Sequence, residues 1–88
     1  MFLSIVSPEK ELYNGDVESV TLPGVMGEFT IWPHHAPIVS SLKAGKVFYR
    51  LQGANEVQTV DIDGGFVEQS NDRIDVCVEL AAPIKLKQ

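Results

Sequence analysis

Apolar and polar residues alternate in short runs along this chain, and no apolar stripe recurs at helical spacing for longer than a turn. The cleanest alternation is Arg73 to Leu80, which puts Ile74, Val76, Val78 and Leu80 inward and Arg73, Asp75, Cys77 and Glu79 outward. That parity leaves Cys77 on an outer face, where only a covering element would bury it. Lys46 to Leu51 places Val47, Tyr49 and Leu51 on one side, and Val57 to Asp63 does the same with Val60 and Ile62. Phe2–Ser7, Glu11–Tyr13, Val17–Leu22, Glu28–Trp32, Ile38–Leu42 and Phe66–Gln69 complete the predicted strands. Turn signals separate them: Pro8-Glu9-Lys10, Asn14-Gly15, Pro23-Gly24, Lys43-Ala44-Gly45, Gln52 to Asn55, Gly64-Gly65 and Asn71-Asp72. Asn14-Gly15 predicts a hairpin, Pro23-Gly24 a tight turn, and Gly64-Gly65 a hairpin or a bulge. About ten short strands at such spacing argue for an all-β sandwich or barrel.

The stretch from Pro23 to Pro37 stands apart. It holds three of the five prolines, the only tryptophan and both histidines. Pro33 ends the Glu28–Trp32 strand, and the flanking prolines limit His34-His35-Ala36 to extended or turn geometry. An acid, a large aromatic and two imidazoles therefore gather around one stiff loop, the kind of element that presents a surface to something else. Phe29, Ile31 and Trp32 cannot all face inward on a regular strand, so either Trp32 or the Phe29–Ile31 pair looks outward.

Composition narrows the candidates. Eighty-eight residues make one domain, and 44% hydrophobic with 22% charged residues is ordinary for a globular chain. The net charge of −5 opposes any sequence-independent grip on nucleic acid or anionic lipid and favours basic partners. A single cysteine, Cys77, cannot close an internal disulfide, which points to a reducing compartment. Met1 to Val6 is apolar but lacks a basic leader region and meets Pro8 too early for a signal peptide. No run approaches the roughly 18 apolar residues of a membrane span, so membrane association is expected only through a partner.

Chemistry is harder to find. Glu28, His34 and His35 are the only metal-like cluster, but adjacent histidines in an extended chain point to opposite sides, and zinc asks for three or four converging ligands. Asp61 and Asp63 are i, i+2 on a strand and read as a solvated edge rather than an acid/base pair. Ser40 and Ser41 lie near His35 without a nucleophile elbow. Gly64-Gly65 precedes a strand, not the helix N-terminus a phosphate loop requires. Gly24-Val25-Met26-Gly27 has the spacing of a KH-type clamp among the wrong neighbours. No catalytic, metal or cofactor site is predicted.

Taken in order, Val20-Thr21-Leu22-Pro23-Gly24, Gly27-Glu28-Phe29, Pro33-His34-His35-Ala36-Pro37, Leu42 with Gly45, and Gly64-Gly65-Phe66-Val67-Glu68 resemble the N-terminal β-sandwich of the epsilon subunit of F-type ATP synthases. Ser7-Pro8-Glu9 and Ile74-Asp75-Val76 also fit, so the resemblance covers practically the whole chain. It implies a small two-sheet β-sandwich over residues 1–88, with 81–88 as a short C-terminal tail. It further implies a non-catalytic rotor subunit of the central stalk, without cofactor, that links the gamma subunit to the c ring and couples proton transport to ATP synthesis. The implied location is peripheral, on the cytoplasmic face of the bacterial inner membrane. In that family the acid of the Gly-Glu segment and the Pro-x-His-Ala-Pro loop face the c ring, which carries over to Glu28 and to Trp32, Pro33, His34, His35 and Ala36. Many relatives continue for about another 40 to 50 residues as a helical hairpin that senses ATP and inhibits hydrolysis. This chain ends eight residues past Leu80; if these 88 residues are the full protein the resemblance does not extend those roles to it, and if they are a piece of a longer one those roles belong to the part that is missing. The rival expectation is a free-standing β-sandwich that binds a small ligand or carbohydrate through Trp32 and the histidine loop.

Overall fold

The computed structural model describes residues 1–81, so the expected tail lies almost wholly outside the described residues. Among the described residues there are seven strands and no helix: β1 (Phe2–Val6), β2 (Glu11–Gly24), β3 (Gly27–Ile31), β4 (Ile38–Leu42), β5 (Gly45–Leu51), β6 (Val57–Ser70) and β7 (Arg73–Leu80). The all-β expectation holds. The strand count is lower than about ten because β2 and β6, at 14 residues each, absorb turn signals that seemed to divide them. Asn14 and Gly15 do not close a hairpin; they pair with Ser4 and Leu3 in the antiparallel β1–β2 ladder. Pro23 and Gly24 do not form the turn either, since they pair with Glu28 and Gly27 at the end of β2. The reversal is made by Val25 and Met26, with Gly27 at φ 133° supplying the conformation that a side chain would resist.

The two long strands also join the layers of the sandwich into one hydrogen-bonded sheet. β1 pairs with β7 in parallel, β7 with β6, β6 with β5, β5 with β2, and β2 returns to β1. β3 extends from β2, and β4 lies along the second half of β6. Each long strand carries a bulge. In β2, Val17 pairs with Leu51 and Ser19 with Arg50, leaving Glu18 as the extra residue. Burial then passes from odd-numbered Val17 to even-numbered Val20 and Leu22. In β6, Asp63 is the extra residue between the Ile62–Leu80 and Gly64–Glu79 pairs, and burial passes from Ile62 to Val67 and Gln69. A strand that serves two layers must change which side it buries, and one inserted residue does this because side chains alternate with period two.

Leu3, Ile5, Val20, Leu22, Ile31, Val47, Val67, Ile74 and Val76 fill the space between the layers and are fully buried. β7 follows its predicted parity, with Ile74, Val76 and Val78 in the core and Cys77 half-buried on the outer side.

Candidate functional site

Pro33 ends β3, and the chain then makes a tight turn. The His35 N–H donates to the Trp32 carbonyl oxygen at 3.2 Å. Pro33 occupies the first central position and His34 the second, at φ 68°. This is the pattern of a type II turn, in which the second position is normally glycine or asparagine. Holding a histidine there stores strain of about 1 kcal/mol. His35 adds a local clamp, its Nδ1–H donating to the Ala36 carbonyl oxygen at 2.7 Å. The loop is therefore built by short-range bonds while its side chains, from Trp32 to Pro37, all stay exposed.

The parity question about β3 is answered here. Ile31 is fully buried and Phe29 half-buried, so Trp32 follows Glu28 and Thr30 outward and is 57% exposed. Thr30 and its partner Thr21 share a hydroxyl–hydroxyl hydrogen bond of 2.8 Å between those two ends. Glu28 and Trp32 share a side of β3 but not an end of it. They are four positions apart, about 13 Å at roughly 3.3 Å per residue. Glu28 belongs to the β2–β3 hairpin, opposite Pro23, and is exposed with no ion pair among the described residues.

Sequence reasoning missed the tip of that hairpin. Val25 is 51% exposed and Met26 96% exposed. Two apolar side chains at a turn, where polar residues serve the backbone better, were the available signal. The tip is nevertheless pinned: the Val25 N–H donates to the Ser41 carbonyl at 3.0 Å and the Lys43 N–H to the Pro23 carbonyl at 2.9 Å. Phe29 lies so close across the turn that a Cβ on Gly24 would sit 2.8 Å from its ring.

A second apolar surface lies on the outer side of the β4–β6–β7–β1 layer. Phe66 pairs with Cys77, and Cys77 with Val6, so three strands place these side chains in one row. With Pro8 and Val78 they line an apolar groove of about 420 Å³. Beside that row Glu68 and Asp75 are direct cross-strand neighbours, an unfavourable like-charge pairing that Arg73 relieves by binding Asp75 at 3.1 Å. The Arg73 guanidinium also lies 5.0 Å from the Phe2 ring centre.

The remaining candidates do not assemble. Among the described residues no group of three His, Cys, Asp or Glu side chains converges as metal ligands. Asp61 is paired with Lys46 at 2.6 Å, and the Ser40 hydroxyl donates to the Ser41 carbonyl at 3.1 Å rather than to a base. No helix of the described residues is long and apolar enough to cross a membrane.

Residues 1–84 match the family described as the ATP synthase delta/epsilon chain β-sandwich domain. An ATP synthase epsilon chain of Helicobacter pylori is 39% identical over 83 residues, which cover 94% of this chain and 66% of that relative. The epsilon chain of Desulfitobacterium hafniense is 38% identical over 81 residues, covering 92% of this chain and 60% of that one. The chain thus spans 60–66% of the length of these curated relatives. Among solved structures, a chain from the central stalk/c-ring of the Tetrahymena thermophila mitochondrial ATP synthase superposes with a TM-score of 0.76 at 18% identity, covering 89% of this chain and 62% of that chain. A chain of the Euglena gracilis mitochondrial ATP synthase, solved as OSCP/F1/c-ring, gives a TM-score of 0.82 at 20% identity, covering 92% and 51%. At such identities these two likenesses establish a shared fold.

Proposed function

This chain belongs to the family of ATP synthase delta/epsilon-chain β-sandwich domains, and from that premise we propose that it is a non-catalytic rotor subunit of a proton-translocating F-type ATP synthase. In this reading it links the gamma subunit to the c ring on the cytoplasmic face of the bacterial inner membrane. The observation that carries the reading is the loop from Trp32 to Ala36, whose side chains are all exposed while its backbone is locked by a proline-initiated turn and two local hydrogen bonds. A surface held this way loses little conformational entropy when a partner arrives. Exposed Glu28 adds an acid with no ion-pair partner among the described residues, suited to a basic or polar c-ring loop. The apolar groove lined by exposed Phe66 and half-buried Val6 and Cys77 offers a seat for gamma, because a contiguous apolar row that reaches the surface is worth covering.

Torque transmission asks for stiffness. A sheet whose ladders return on themselves through β1, β7, β6, β5 and β2 resists shear between its layers better than two sheets held by side chains alone. The rival, a ligand-binding sandwich using Trp32 and the histidines, asks for a pocket beside them, whereas the 420 Å³ groove is lined by other residues.

The test is coupling in the assembled enzyme. Glu28→Lys, or a shortened 33–37 loop, lowers the protons pumped per ATP hydrolysed in reconstituted vesicles while the domain still folds. Undiminished coupling with both changes would rule out this loop and this acid as the rotor contact. Co-elution of the chain with purified gamma subunit checks the other half of the linkage.

A further inference from the structure

We infer that the turn from Trp32 to His35 is a two-state element: the peptide between Pro33 and His34 flips between the observed type II arrangement and a type I arrangement while the rest of the loop stays in place. The flip belongs to the free chain and does not depend on the rotor reading. Three described residues other than glycine have positive φ: His34 at 68°, Asn71 at 52° and Asp72 at 64°. The last two are held there. They close the β6–β7 hairpin beside the Ser70–Arg73 pair, where a turn with two positive φ values matches the strand twist, and the Asp72 carbonyl oxygen accepts from the Phe2 N–H at 2.9 Å. His34 has no such support. Neither its N–H nor the Pro33 carbonyl oxygen has a hydrogen-bond partner among the described residues, and both residues are exposed.

Everything that does hold the loop is common to both turn types. Each is closed by a bond from the fourth residue to the first, here from the His35 N–H to the Trp32 carbonyl oxygen, and each accepts proline at the first central position. They differ in ψ of Pro33 and φ of His34, so conversion rotates the central peptide by roughly half a turn and takes His34 to negative φ, where a side chain is unstrained. The clamp between His35 and the Ala36 carbonyl lies beyond that peptide and stays closed. The flip therefore breaks no hydrogen bond and relieves the strain at His34, which brings the two states close enough for one side chain to decide between them. It also exchanges an acceptor, the Pro33 carbonyl, for a donor, the His34 N–H, on a given side of an exposed loop. A partner that uses either group selects its state.

The experiment is solution NMR of the 88-residue chain, reading the cross-peak between Pro33 Hα and the amide proton of residue 34, which is strong in a type II turn and weak in type I. His34→Gly removes the strain and is expected to keep the strong cross-peak, as the type II reference. His34→Val brings a β-branched side chain, for which positive φ is a genuine outlier, and is expected to lose most of that cross-peak. In the valine variant the His35 amide should keep its protection from solvent exchange, and the strand resonances should stay where they are. A strong cross-peak in His34→Val overturns the two-state turn, because the surroundings would then impose type II whatever the residue. Loss of His35 protection in that variant overturns it as well, because the frame would have opened instead of the peptide turning over.

Discussion

Gly65→Ala should strongly destabilise this fold. Gly65 sits at φ 154°, a region essentially reserved for glycine, and its neighbour Gly64 at φ 149° is equally constrained. The two differ in their surroundings. A Cβ on Gly65 would overlap the Cys77 carbonyl oxygen and lie 2.9 Å from the Val78 Cα, whereas a Cβ on Gly64 has the Leu42 carbonyl oxygen at 3.6 Å as its nearest neighbour. Backbone strain costs about 1–3 kcal/mol at either position. At Gly65 the obstacle is the backbone of β7, which no rotamer change can move, and overpacking adds about 1–3 kcal/mol more. The expected loss is about 2–6 kcal/mol for Gly65→Ala and about 1–3 kcal/mol for Gly64→Ala. A domain of this length is stable by about 4–13 kcal/mol, so the first change removes a large share. Followed by circular dichroism, the thermal midpoint should fall by about 8–48 °C for Gly65→Ala, at about 4–8 °C per kcal/mol, and less for Gly64→Ala. Equal losses in the two variants would refute the close β6–β7 approach as the reason for glycine at position 65.

Three further outcomes follow from burial and charge. Gln69 is buried with its Oε1 accepting no hydrogen bond among the described residues, so Gln69→Met, similar in length, should raise stability in urea by about 1 kcal/mol. Trp32→Ala should change urea stability by less than about 1 kcal/mol, whereas Ile31→Ala, one residue earlier and fully buried, should cost about 2–5 kcal/mol. Burial, and secondarily the neighbouring Tyr13, raises the Tyr49 pKa, the two rings lying 4.6 Å apart. Stability is then fully present below the unfolded value of about 10 and is lost as pH rises from there through the folded-state value, because the unfolded chain gives up its proton first. Tyr49→Phe should flatten that decline in stability curves measured across the alkaline range.

Much of this was legible in the chain. Period-two alternation determined β5 and β7 and the residues they bury, because a half-buried strand needs no information about its neighbours to be recognised. Asn71-Asp72, at φ 52° and 64°, closes the β6–β7 hairpin where the turn chemistry called for it. The bracketing prolines likewise declared the 33–37 loop, since they act on φ and ψ locally. The ordered likeness to the epsilon family was readable for the same reason: it consists of residues with local backbone roles.

Tertiary structure decided the rest. Asn14-Gly15 and Gly64-Gly65 carry the same conformational licence as hairpin turns, yet β1 and β7 occupy the space beside them and hold the chain extended. A permissive residue allows both outcomes, and only the neighbouring strand selects one. The bulge at Glu18 inverts parity within a strand, which a pattern of fixed period cannot foresee, whereas the one at Asp63 adjoins Gly64-Gly65, where a bulge was one of the two expectations. Glu28 and Trp32, close in sequence, stand at opposite ends of a strand, while Phe66, Cys77 and Val6, distant in sequence, share one row. Alternation along a strand says which way a side chain points; the register between strands determines what it points at, and that register is a property of the packed whole.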